Sequence, residues 1–362
     1  MSANNPFNEL PNLPPVVDLE TPRVLKAAIA ANRELAQLKG YCALLPNETI
    51  LLNSIILQEA RASSEIENII TTHDDLYRAM VIDYQSIEPA TKEVLNYRSA
   101  TWTGYELLKK TGSITTNMIV TIQKELEGND AGIRTLPGTA LVNDVTGETI
   151  YVPPDDPVAI QQLLTNLETY LNTDIHPVDP LIRMAVAHYQ FESIHPFYDG
   201  NGRTGRIVNV LYLVKEELLD SPILYLSRNI IRDKRTYYRL LQGIRENGEW
   251  EEWVVYMLEL IAGTADETLG MIRQIVKLMD ETIEEARKNL PKASYSKELI
   301  ETIITQPYTK IEHLVQQGIA ERRTASKYLQ QLEEIGILIA TKEWKQKIYI
   351  NHRLVDLLKR RA

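Results

Sequence analysis

The chain is 362 residues long and 44% apolar, enough for a sizeable core and for two or three domains. No stretch approaches the ~18 uninterrupted apolar residues of a membrane-spanning helix, so no membrane partner is expected. A single cysteine, Cys42, permits no internal disulfide, and no Cys/His cluster stands at zinc spacing; both fit a reducing, cytoplasmic setting, with Cys42 a small core residue.

In chain order, Met1–Pro22 is rich in Pro and Asn, lacks the charged-then-apolar order of a signal peptide and reads as an irregular arm. Pro22 to about Lys109 reads helical. Within it, ILQEARASSEIENI belongs to a helix spanning about 50–82, free of Gly and Pro from Glu48 to Ile82. Ile55, Ile56 and Ala60 form its apolar face; Ser63 and Glu67, four apart, share another, and Asn68 follows. An amphipathic run from Glu88 to Lys110 closes this N-terminal region, 1–109. In a core at 110–263, the β-branched segment Thr139–Val152 reads as a hairpin turning at Thr146-Gly147 and ending at Pro153-Pro154. A helix through Met184–Ser193 must stop at His195, because Pro196 disfavours helix at the residue before it. After the turn dipeptides Asp199-Gly200 and Asn201-Gly202, apolar spacing from Ile207 to Val214 is helical again. Residues 264–290 read as an amphipathic connector helix stopped by Pro291. In 291–362, helical patterns at Ser296–Thr305, Thr309–Gln317 and Glu321–Ile335 precede two strand-like runs, 336–339 and 347–350. The expected class is mostly α.

His195 to Arg206 reads HPFYDGNGRTGR and gathers the components of a phosphate site. Backbone N–H groups in a glycine-bearing loop can form an anion nest, and the following helix N-terminus adds donors and a positive dipole end. Arg203 and Arg206, three apart, share a face there. Two cations are misplaced at that end of a helix unless an anion joins them.

Every specified position of HPFx[DE]GNGRxxR is present, and the segment resembles the signature of the Fic family. Likeness extends from about Ile55 to Met257, through HYQFESIHPF and YYRLLQGIRENGEW. The resemblance implies a Fic-type helical core with a β-hairpin flap, and transfer of AMP from ATP to a Ser, Thr or Tyr hydroxyl of a protein. It makes His195 the general base, Asp199 the ligand of Mg²⁺, and Gly200, Asn201, Gly202, Arg203, Thr204, Gly205 and Arg206 the phosphate cradle. Tyr237 and Tyr238 resemble paired tyrosines of the adenine pocket; Arg245 would lie near the nucleoside. Leu141, Val142 and Asn143 of the flap would lie nearest the adenosine and the target, which the flap edge would hold by strand addition. Ser63, Glu67 and Asn68 resemble the inhibitory motif [ST]xxxE[GN]: Glu67 would take from Arg206 the contact that the γ-phosphate needs. The family habit implies a homodimer.

Residues 291–362, three short helices and a β-wing, resemble a winged helix-turn-helix. They hold 13 Lys and Arg against 8 Asp and Glu, a net +5, whereas the whole chain is −10 and residues 1–290 therefore −15. Arg322, Arg323 and Lys327 lie on the third helix. The module would bind DNA phosphates or, the favoured expectation, contact protein. A nucleotide-sensing DNA regulator and a Fic enzyme that removes AMP are the competing readings.

Overall fold

Thr21 opens the first helix, accepting from Val24 N, while Pro22 sits in the first turn, where its missing N–H costs nothing. The computed structural model describes residues 5–44, 49–81, 87–142, 147–173, 177–343 and 346–360. It lays this helix, α1 (Pro22–Cys42), along a 40-residue helix, Trp250–Asn289. The α1 residues that bury are Val24, Ala28, Ala31, Leu35, Leu38 and Cys42. Their alternating spacing of four and three is a helix–helix seam, and Cys42 ends it as a core residue. The long helix runs unbroken through Gly263, the expected boundary between core and connector. A glycine inside a helix costs only about 1 kcal/mol against alanine, too little to break one held along such a seam.

Between these two helices the chain forms α2 (Thr49–Ile66), α3 (His73–Ala79), α4 (Pro89–Thr111), α5 (Thr116–Glu127), β1 (Leu141–Val142), β2 (Thr149–Tyr151), α6 (Pro157–Asn172), α7 (Pro180–Ile194), α8 (Asn201–Lys215), α9 (Ser227–Arg232) and α10 (Lys234–Asn247); the long helix is α11. Helix α7 is buried at every residue from Leu181 to Ile194, and α8 nearly so to Leu213. Helices covered on all sides occupy a centre, and α7 and α8 pack together there against α4, α5 and α6. The short link between them is therefore held at both ends by the core.

The expected helix over 50–82 is two helices. Helix α2 stops at Ile66; Ile69 N bonds Ser64 O at 3.0 Å and Asn68 N bonds Glu65 O at 3.1 Å, with Asn68 left-handed at φ 63°. This is a Schellman ending, which asks for Gly or Asn at the left-handed position. Thr72 then caps α3, accepting from Asp75 N.

The C-terminal region forms α12 (Lys297–Thr305), β3 (Tyr308–Thr309), α13 (Ile311–Gln316), α14 (Arg322–Glu334), β4 (Ile339–Glu343), β5 (Gln346–Ile350) and α15 (His352–Arg360). Its antiparallel sheet has the order β3-β5-β4. Among the described residues the fold is thus mostly helical with two small sheets. Gly336 to Leu338 form a turn, not the start of a strand: Gly336 is at φ 80°, and Ile337 N and Leu338 N both bond Leu332 O. Ile337 and Leu338 read as strand because they are buried apolar residues. Strand β3 and helix α15 were not foreseen.

Candidate active site

His195 ends α7 in the left-handed conformation, φ 49° and ψ 59°, with its N–H on Phe191 O. The ring is half-buried, and its Nδ1 is enclosed without an acceptor or donor among the described residues. Burial first, then the nearby Arg134 and Arg245 guanidinium groups, lower its pKa to about 4.

The phosphate loop is shorter than expected, because α8 already begins at Asn201 behind a left-handed Gly200 at φ 77°. Its first-turn N–H groups at 201–203 have no intrahelical acceptor by construction, which suits this helix start to an anion. Asn201 braces the loop: Oδ1 accepts from Phe197 N and Nδ2 donates to Phe197 O, each at 2.8 Å. Asp199 Oδ1 accepts from Gly200 N at 2.7 Å, and its side chain is 78% exposed at the mouth. Thr204 is buried, and Gly205 lets α8 approach Phe191 and Glu192. Among the described residues no three or more His, Cys, Asp or Glu side chains cluster to hold a metal. Mg²⁺ carried on substrate phosphates needs only one or two protein carboxylates, and Asp199 fits that demand.

The two arginines have separate carboxylates. Arg203, expected to wait for phosphate, donates through Nη2 to Glu127 Oε1 at 2.8 Å and through Nη1 to Glu93 Oε2 at 3.2 Å. Arg206, 1% exposed, donates through Nε to Ser63 Oγ at 2.8 Å and through Nη2 to Ser63 O at 2.9 Å and Glu67 Oε1 at 2.8 Å. Glu67 stands one residue beyond α2, in the turn, so that it reaches Arg206 from the helix end and not from a helical face. Burial would raise the Glu67 carboxyl, but Arg206, joined by Arg203 and Lys234, outweighs it and holds it below the usual range. A Cβ on Gly202 would come within 2.5 Å of Glu67 Oε1 and 3.0 Å of Arg206 Nη1, so this glycine is what lets the acid lie against the loop.

At the nucleoside end the tyrosines part company. Tyr237 is sealed in the core, its hydroxyl 2.7 Å from His188 Nε2 and its ring beside Trp253. A ring so covered offers no open face to a base, which leaves Tyr238, 38% exposed, for stacking. Arg245 lies over the Tyr151 ring at 3.8 Å. The hairpin is present as β1 and β2, with Leu141 opposite Tyr151 and Val142 opposite Thr149. Val142 is exposed; Asn143 and Thr146 lie outside the described residues.

Three family models match: the Fic/DOC family N-terminal model over residues 25–106, the Fic/DOC family model over 113–213, and the model described as the C-terminal domain of the SoFic-like protein adenylyltransferase over 278–354. This chain is a Fic/DOC-family protein. It combines a Fic core with a SoFic-like C-terminal domain. Curated relatives include protein adenylyltransferase fic-1 of Caenorhabditis elegans, 36% identical over 63 residues, 17% of this chain and 12% of the relative. Protein adenylyltransferase Fic of Aedes aegypti is 26% identical over 204 residues, 55% of this chain and 38% of the relative. The matched stretches thus span well under half of these relatives. Among solved structures, a Fic family protein from Desulfovibrio desulfuricans G20 superposes with TM-score 0.58 at 21% identity, covering 93% of this chain and 98% of that one. C. elegans Fic-1 (residues 134–508) superposes with TM-score 0.53 at 21% identity, covering 70% and 75%.

In this Fic core, sequence reasoning missed four charged residues. Glu93 and Glu127 hold Arg203; Lys234 donates through Nζ to Ile66 O at the end of α2; Arg134 holds the backbone of His195. None stands in the signature, and each reaches the site across the fold. For Arg203 and Arg206, the signal was the bare cation pair at a helix start, which implies compensating acids without naming them.

Proposed function

We propose that this chain is an autoinhibited protein adenylyltransferase, moving AMP from ATP to a Ser, Thr or Tyr hydroxyl of a protein, its own included. The hydroxyl gives its proton to the neutral His195 imidazole as its oxygen attacks the α-phosphorus. The bond from that phosphorus to the β-phosphate bridge breaks, and pyrophosphate leaves. A positioned base contributes ~10²–10⁴-fold. The first turn of α8 cradles the α-phosphate. Arg206 grips the γ-phosphate once Glu67 withdraws, and Arg203, whose Nε has no hydrogen-bond partner among the described residues, grips the β-phosphate. Asp199 would hold the Mg²⁺ that ATP carries, and the ion would supply neutralisation of phosphate charge. Tyr238 stacks on the base, and the flap at Leu141 and Val142 aligns the target.

The observation that carries this reading is the triple grip of Ser63 and Glu67 on Arg206 at the foot of an otherwise complete phosphate loop. With Glu93 and Glu127 on Arg203, both guanidinium groups are engaged by acids in the resting state. The relatives' description as protein adenylyltransferases agrees with it. Labelled ATP tests it: Glu67→Gly should raise AMP incorporation at least about tenfold, and His195→Ala should abolish it. Equal labelling by the parent and Glu67→Gly would remove autoinhibition. Absence of label in both would remove the transfer reaction.

The C-terminal domain we read as a winged helix serving protein contact. Arg322 pairs with Glu312, Lys347 with Glu333, Arg353 with Glu281 and Glu285, and Lys359 with Asp74. These four of the domain's 13 Lys and Arg are spent on this chain, which lowers the charge left for a DNA surface. A homodimer remains part of the proposal on family habit.

A further inference from the structure

His195 is held in a left-handed conformation, which is strained for a residue with a Cβ. The surrounding structure must hold it there. Residues 133–136 run beside 195–198 in the opposite direction. Ile133 bridges Phe197, Arg134 N donates to Pro196 O at 2.9 Å, and the N–H groups of Thr135 and Leu136 donate to the Tyr198 hydroxyl at 3.0 and 3.2 Å. From this splint the Arg134 side chain turns inward and is 1% exposed. Its Nε donates to His195 O at 2.7 Å, and its Nη2 donates to Ile194 O at 3.1 Å and to Pro154 O. Ile194 O and His195 O are the end carbonyls of α7, acceptors that a helix leaves unsatisfied at its negative end. Pro154 lies just past the flap strand β2.

We propose that Arg134 is the positioning residue for His195: a buried cation that fixes the turn carrying the imidazole and joins it to the segment leaving the flap. The inference rests on reading His195 as the base. Arg134 touches neither substrate nor reacting atom and acts through the turn. Arginine suits the task, since its fork meets several carbonyls at once where an ammonium offers a point charge. The charge also bears on the ring. After burial, Arg134 is the largest influence holding the imidazole neutral at pH 7.

The test uses the full chain carrying Glu67→Gly, into which Arg134→Lys or Arg134→Met is introduced. Lysine keeps the charge and loses the fork; methionine loses both. Two quantities are read: kcat and KM for ATP in AMP transfer, and the His195 midpoint in a histidine-labelled NMR titration, assigned by the signal lost in His195→Ala. Both variants should lower kcat at least about tenfold while KM for ATP stays within about threefold. The His195 midpoint should rise by about one unit in Arg134→Met and much less in Arg134→Lys. Unchanged kcat in both variants would overturn the proposal. So would a fall in kcat with the same His195 midpoint throughout, which would make Arg134 a brace of the fold and nothing more. Should Arg134→Met not fold, Arg134→Gln takes its place. If the Glu67→Gly parent transfers no AMP, the adenylyltransferase reading fails, and the titration still decides whether Arg134 governs the ring.

Discussion

Three titratable groups within the site behave differently as pH changes. His195 is held down to about 4 by burial and then by Arg134 and Arg245, so it takes up a proton only as pH falls through that lowered value. Glu67 is held below the ordinary range, so its pairing is complete above ~4.3 and lost only as pH falls through its own lowered value. Glu192 is the contrast: burial pushes its carboxyl up to about 7. In the Glu67→Gly variant, kcat/KM should therefore stay flat from pH 8 to about 5.5, save for any inflection near 7 that Glu192→Gln removes. An inflection near the free-imidazole value of ~6.5 that survives Glu192→Gln would mean that His195 titrates as if exposed, and the argument from burial would fail. The signature residues were legible because their chemistry is packed into twelve positions. Arg134, Glu93, Glu127 and Lys234 were not, because a charge in an ordinary segment does not say which distant backbone or guanidinium it will meet.

The ending of α2 decides where Glu67 stands. Asn68 at φ 63° lets the chain turn after Glu67, and Lys234 on the Ile66 carbonyl compensates the negative end of the helix. The family pattern admits Gly or Asn at this position; the backbone gives the reason, since both tolerate the left-handed region. Asn68→Gly should leave AMP labelling within about twofold of the parent, because the turn survives. Asn68→Val puts a β-branched side chain there at a cost of about 1–2 kcal/mol, loosens the hold of Glu67 on Arg206, and should raise labelling by roughly two- to tenfold. Labelling assays on the two variants side by side decide it; a valine variant as silent as the parent would show that the turn does not set the acid. Helix existence was legible here from periodicity, and helix ends less so. The lack of Gly or Pro between Glu48 and Ile82 concealed the break, although Asn68 and the Thr72 cap were its local marks. Gly263 misled in the other direction, because the apolar seam with α1 overrides one weak residue.

Over the whole molecule, the C-terminal domain lies against the part of the chain that carries Glu67. Helix α12 packs on α2. Beyond Glu67, α3 is held from the same side: the Tyr308 hydroxyl donates to Asp74 Oδ1 at 2.8 Å, Lys359 Nζ lies 2.9 Å from it, and the Tyr77 and Tyr308 rings stack 5.6 Å apart. Gln58 on α2 ties the two helices together, 2.8 Å from His73 Nε2 and donating to Leu358 O at 3.5 Å. Burial would raise the Asp74 carboxyl, but Lys359 and Tyr308 hold it lowered, so the contact is present above the ordinary carboxylate range and lost only at acid pH. No local pattern announced this junction, because its tyrosine sits on a two-residue strand and its lysine on a terminal helix, more than 200 residues from Asp74. The turn at 67–72 is therefore anchored at both ends by elements the C-terminal domain touches, and loosening that domain should loosen Glu67. Tyr308→Ala with Lys359→Glu should speed amide exchange in α3 and raise AMP labelling by the Glu67-bearing chain by roughly two- to tenfold, the reach of about 1 kcal/mol. In the Glu67→Gly background the same pair should add nothing, since the acid they restrain is gone. Faster exchange in α3 with labelling unchanged would mean that the domain is docked beside the lock without bearing on it.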